Sequence, residues 1–305
     1  MGVTRDAHSS QYNIDPPPHP PPQGGREPAL RAHLTMSPEL AFILSLALRM
    51  AVAAAFVVSA SMITERSGPA IGALVATLPV SAGPAYVSLA LDHDDAFIAQ
   101  SALASLPMNA STILMSLVYV HLAQRRGLIV SLGAGFSVWL LFALLVRSFE
   151  WTLLGGVVVN VLALAICLPL VQRYRTARMP LVTSRWYDIP LRAALVATLV
   201  AVIVTLSNVL GPRASGVVAL FPAVFTSLIL VLMPRIGGRA TAALLANSQW
   251  GMVGFGIAVL LLHLTALPLG RWGGLSAALA MCVAWNFGLW LYGRRQMRLR
   301  ASSPP

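Results

Sequence analysis

Ser101, Ser105, Asn109, Thr112 and Ser116 follow one another at steps of four, four, three and four. A helix carries all five on one face. They stand in an otherwise apolar stretch, so the face offers hydroxyl and amide groups to a small polar molecule and no ionised group. A second polar run, "NSQW" (Asn247, Ser248, Gln249, Trp250), interrupts another apolar stretch in the same way. The competing reading of both is helix packing, where a side-chain hydrogen bond contributes only about 0.6 kcal/mol. The lone amides Asn160 and Asn286 read as packing contacts.

The groups that break or form covalent bonds are missing. There is no nucleophile–base constellation, no phosphate-cradling loop and no metal-hydrolase motif. The chain therefore reads as no enzyme, with no catalytic residue, no metal and no cofactor. Cys167 and Cys282 lie in apolar stretches without a CxxC spacing and read as small buried hydrophobes. The loop "DHDD" (Asp92 to Asp95) reads as an exposed acidic turn rather than a cation site. No Asp, Glu or Lys falls at the centre of an apolar stretch, where a proton relay would need one. Arg49 and Arg192 are the deepest charges. They read as snorkelling helix ends, or as anion contacts where they reach a cavity.

These groups must be held by helices in a membrane. Of the 305 residues, 57% are hydrophobic and 10% charged, against about 25% charged in a soluble domain. Hydropathy gives nine spans of a length that crosses about 30 Å of hydrocarbon: residues 39–63, 69–91, 95–122, 127–147, 150–172, 189–209, 212–233, 240–264 and 271–292. The net charge of +11 comes from 21 arginines and no lysine. They sit mostly between spans, which points to a lipid bilayer as partner and away from nucleic acid. Thirteen fall on one side (Arg66, Arg125 and Arg126, four from Arg173 to Arg185, Arg235 and Arg239, and four from Arg294 to Arg300), six on the other, and Arg49 and Arg192 within spans. The thirteen-arginine side is expected to be cytoplasmic. The N-terminus is then outside and the C-terminus inside a bacterial inner membrane. Residues 1–36 include "DPPPHPPPQGG" and read as a disordered, proline-rich tail, with Met36 at its end as an alternative start.

The chain also repeats itself. At a shift of 143 residues Arg49 meets Arg192, Gly68 meets Gly211, Pro69 meets Pro212 and Pro79 meets Pro222. Four spans make the unit and the fifth has no partner, so an odd number of crossings separates the copies and they are inverted. The expected fold is all-α: nine transmembrane helices in two inverted four-helix repeats (37–148 and 189–293), a linking span and loop (149–188) and a basic tail (294–305). Inverted repeats with proline-broken segments at matching positions point to a secondary transporter. A packing kink at each proline is the plainer alternative. The expected substrate path comprises Pro79, Ser81, Ser105, Asn109, Thr112, Pro222, Thr226, Asn247, Ser248, Gln249 and Trp250.

The second half resembles the GlpM/YdgC family of small bacterial inner-membrane proteins. The matching stretches are "SGVVALFPAVFTSLIL", "GRATAALLANSQWGMVGF" and "ALAMCVAWNFGLWLY", within residues 215–292. The first half departs from them, with "PMNAS" where the second has "QWGMV". The resemblance implies a four-span ancestor that inserts in both orientations, and a link to exopolysaccharide production; it carries over no catalytic residue. Two functions are therefore expected. One is a carrier or exporter of an unidentified small molecule, with its site between the repeats and room for homo-oligomers. The other is a non-transporting membrane component that supports envelope exopolysaccharide production.

Overall fold

The computed structural model describes residues 37–66, 79–175 and 185–302. The chain divides into two units, residues 1–43 and 44–305; the second holds the cavities and the side-chain contacts discussed below. Every regular element among the described residues is a helix. They are α1 (Pro38–Arg66), α2 (Ala82–Asp92), α3 (Asp95–Leu122), α4 (Leu128–Ser148), α5 (Leu153–Gln172), α6 (Asp188–Ala219), α7 (Ala223–Ala266) and α8 (Gly270–Ser302).

Local chemistry sets the helix ends. The Asp94 carboxylate accepts the Phe97 N–H at 2.8 Å and starts α3. Thr152 accepts the Gly155 N–H at 3.1 Å and starts α5. Gly211 (φ +73°) and Gly237 (φ +80°) take left-handed backbone inside α6 and α7 and kink them. Between these kinks the helix breaks at Leu220–Pro222. Pro222 lies outside helical space (φ −77°, ψ 53°). Its carbonyl is met by the Thr226 N–H at 2.9 Å and the Thr226 hydroxyl at 2.7 Å. That local pair satisfies an acceptor that hydrocarbon would otherwise leave unmet.

Seven helices among the described residues are long and apolar enough to cross a bilayer, and the chain is a multi-pass integral membrane protein. The sequence reading of nine spans differs for identifiable reasons. Residues 69–78, most of the expected second span's first half, lie outside the described residues. The run Gly211–Ala266 counts as one apolar stretch, but its backbone leaves helical space at Gly237, between the expected spans 212–233 and 240–264. The arginines assigned to a basic tail continue α8, which reaches Ser302.

Polarity orders the helices. α3 has a mean hydropathy of 1.4 and is 78% buried, while α1 has 2.3 and is 11% buried. A helix facing lipid needs no polar surface, whereas one at the bundle centre can carry it. α3 is that centre, and α4, α5, α6 and α7 pack around it. Small residues permit the approach: a Cβ added to Gly216 of α6 would collide with the Ser101 carbonyl oxygen of α3.

Candidate functional site

α2 begins just after Pro79, and α7 begins just after Pro222. Both prolines line one cavity of about 330 Å³. Its other walls come from α3 (Asn109, Thr112), the end of α6 and the second half of α7 (Leu244 to Phe255). Three helix ends, those of α2, α6 and α7, thus border this space together with α3 and the second half of α7. No charged side chain lines it among the described residues. The sequence 67–78, outside those residues, contains no ionisable side chain either.

The polar walls are hydroxyls and amides. Thr112 Oγ1 donates to the Met108 carbonyl at 3.3 Å, and Ser248 Oγ to the Leu244 carbonyl at 3.0 Å. Each hydroxyl proton is engaged locally, and each oxygen keeps acceptor capacity. Asn109 is fully buried. Its Nδ2 donates to Asn160 Oδ1 at 2.8 Å and to the Met252 carbonyl at 3.2 Å, while its Oδ1 has no partner. Asn247 stands at an exposed edge, where its Oδ1 accepts from Arg175 Nε at 2.8 Å.

Seven of the eleven residues expected on the substrate path meet here: Pro79, Ser81, Asn109, Thr112, Pro222, Asn247 and Ser248. Four do not line the cavity. Ser105 bonds Tyr86 at 2.6 Å and the Gly216 carbonyl at 2.8 Å, joining α3 to α2 and α6. Thr226 closes the turn after Pro222. Gln249 is buried and donates to the Ile113 carbonyl at 3.3 Å. Trp250 is partly exposed, and its carbonyl accepts from Trp285 Nε1 at 2.9 Å. The stripe on α3 therefore does two jobs: its upper part knits helices and its middle faces the cavity.

Arg49 and Arg192 do not line the cavity. Arg49 forms a two-pronged ion pair with Asp92, with Nη2 2.7 Å from Oδ1. Arg192 lies in the field of Asp188, which is itself paired two-pronged with Arg235. These charges close helix ends rather than await an anion. The "DHDD" loop is exposed at Asp92 and Asp94, as expected of an acidic turn, and its side chains are engaged. Asp94 caps α3, and Asp95 accepts the Arg271 N–H at 2.9 Å. His93 bonds Ser207 at 2.9 Å and stacks on Phe97. Burial holds the His93 imidazole below its ordinary pKa, against the pull of Asp92 and Asp94.

Sequence reasoning passed over five contributors. Gly251, Met252 and Phe255 line the cavity with Asn247 and Ser248; that helical spacing was visible. Asn160 was read as mere packing. It holds Asn109 and donates through Nδ2 to the Gly156 carbonyl at 3.0 Å and to the Leu106 carbonyl beside Pro107. Arg175, in a loop, gave no signal.

Comparison of the chain with family models, with curated proteins and with solved structures found no match.

Proposed function

We propose that this protein is a carrier or exporter of an uncharged small molecule, with its site at the cavity between Pro79 and Pro222. In this reading nine spans form two inverted repeats, 37–148 and 189–293, in a bacterial inner membrane with the N-terminus outside. One observation carries it: two prolines 143 residues apart, each opening a helix, line the same cavity, whose largely apolar walls carry a few hydroxyls and amides. Broken helices at matching positions of inverted halves are how transporters build a midplane site. The absence of charge in the walls favours a neutral substrate, since an unpaired charge placed there would lose its hydration without compensation.

The resemblance of residues 215–292 to the GlpM/YdgC family favours a second reading, a non-transporting component that supports exopolysaccharide production. A metabolite screen separates the two. Purified protein is heated in lipid nanodiscs with candidate compounds. A carrier gains stability with a compound, and Asn247→Leu removes that gain while the protein still inserts and purifies. A screen with no stabilising compound, together with loss of exopolysaccharide on gene deletion, supports the second reading.

A further inference from the structure

A second cavity, also of about 330 Å³, adjoins the first. It lies among α1, α2, the end of α7 and α8, and its walls include Phe56, Val87, Val259, Leu262 and Leu279. Tyr86 and Ser276 are its only polar residues among those described, and the Tyr86 hydroxyl is already bonded to Ser105. The two cavities share three wall residues: Pro79, Ala82 and Phe255. The partition is thin. Proline is a ring fixed to its own backbone and alanine is a single methyl, so Phe255 alone has rotatable side-chain bonds. A turn of its ring about χ1 would join the compartments.

The first compartment adds hydroxyls and amides without charge to largely apolar walls; the other is almost wholly hydrocarbon. We propose that the substrate is an uncharged amphiphile, with a hydroxyl- or amide-bearing head in the first cavity and an apolar tail passing Phe255 into the second. This inference rests on the carrier reading and names its substrate class. Each compartment alone is near the lower end of small-molecule sites, roughly 300–1,000 Å³. A head without a tail would leave the apolar compartment unused, and a tail without a polar head would leave the wall acceptors unmet. Arg175 is bonded to the cavity residue Asn247 through Oδ1 and does not itself line the cavity. An anionic head therefore has no partner inside.

The test uses the full chain in phosphatidylcholine nanodiscs and a 1-monoacylglycerol carrying a diazirine in its tail. Illumination should label the buried residues Tyr86, Leu262 and Cys282. Excess 1-decanoylglycerol should suppress the labelling and decanoate should not. Ser248→Val, which removes a head contact without disturbing the Asn109–Asn160 pair, should weaken binding about tenfold, as expected for one buried hydrogen bond. Labelling confined to lipid-facing residues away from the cavity, such as Leu141, would overturn the proposal. So would equal labelling of the buried three by a diazirine phosphatidylcholine, indifferent to Ser248→Val, because a bilayer lipid would then own the tail cavity. Erythritol, a tail-free polyol, separates the two levels of argument. If it stabilises the native chain but not Ser248→Val, and no tail labelling occurs, the carrier reading stands and the amphiphile falls. If neither probe binds, both fall.

Discussion

Asn109 of α3 and Asn160 of α5 are hydrogen-bonded to each other, Nδ2 to Oδ1 at 2.8 Å, with both side chains buried. The pair joins the cavity wall on α3 to α5. Asn160 also donates to the Leu106 carbonyl, next to Pro107. One amide thus positions Asn109 and supports the α3 backbone where proline weakens the helix. Gly256 lies against both amides, and an added Cβ would sit 3.0 Å from Asn109 Nδ2.

Asn160→Leu is expected to lower stability by about 0.6 to 1.7 kcal/mol, the measured span of such bonds in membranes. It should also reduce any ligand stabilisation, because Asn109 keeps only its bond to Met252. Asn109→Leu should abolish ligand stabilisation outright while the protein still inserts. Thermal melting in nanodiscs, with and without ligand, reads both; full ligand response in Asn109→Leu would assign the stripe to packing alone.

Gly216→Val should destabilise by about 1 to 3 kcal/mol, the usual cost of overpacking. The reason is local: the new side chain meets the Ser101 backbone, which cannot rotate away, so α3 and α6 must separate. Gly83→Ala is the control, since an added Cβ there meets nothing within 4 Å. Equal melting temperatures for the two variants would contradict this packing.

The Asp188–Arg235 pair is largely shielded, with side-chain exposures of 7% and 10%. Removing one partner leaves the other charge uncompensated, whereas removing both does not. Arg235→Gln and Asp188→Asn should therefore each melt at a lower temperature than the double variant. A double variant no better than the worse single one would argue against coupling.

His93 predicts a pH dependence. Its folded-state pKa is depressed by burial, so the unfolded chain binds the proton more readily. The stabilising term is fully present above the ordinary histidine pKa of about 6.5 and fades as pH falls below it. Melting temperature should drop between pH 7 and pH 5, and less steeply in His93→Gln. An identical slope in the variant would remove His93 from the account.

The arginine distribution predicts orientation. Cysteine labelling at Asp94 should occur from outside, and a reporter fused after Arg300 should be cytoplasmic. A C-terminus on the outer side would refute both the nine-span count and the inverted arrangement, because the inversion argument depends on an odd number of crossings.

Composition alone determined the solvent: a chain with 10% charged residues cannot clothe a soluble surface, and apolar runs of spanning length specify helices. Periodicity placed Asn109 and Thr112 on one face, and the prolines marked helix breaks, since the loss of a backbone donor is a local fact. Which polar residues share a space was not local. Ser105 and Thr112 carry the same periodic signature, yet Gly216 brings α6 against Ser105 and leaves Thr112 facing the cavity. Arg49 looked available to an anion until the folded chain brought Asp92 to it from 43 residues away. Hydropathy separated spans 212–233 and 240–264, but it averages over windows and could not show that the break between them is a single left-handed glycine, Gly237. Asn160 and Phe255 acquired their roles only through distant neighbours, because a hydrogen bond or a shared wall depends on which helices meet, and that is decided by packing across the whole bundle.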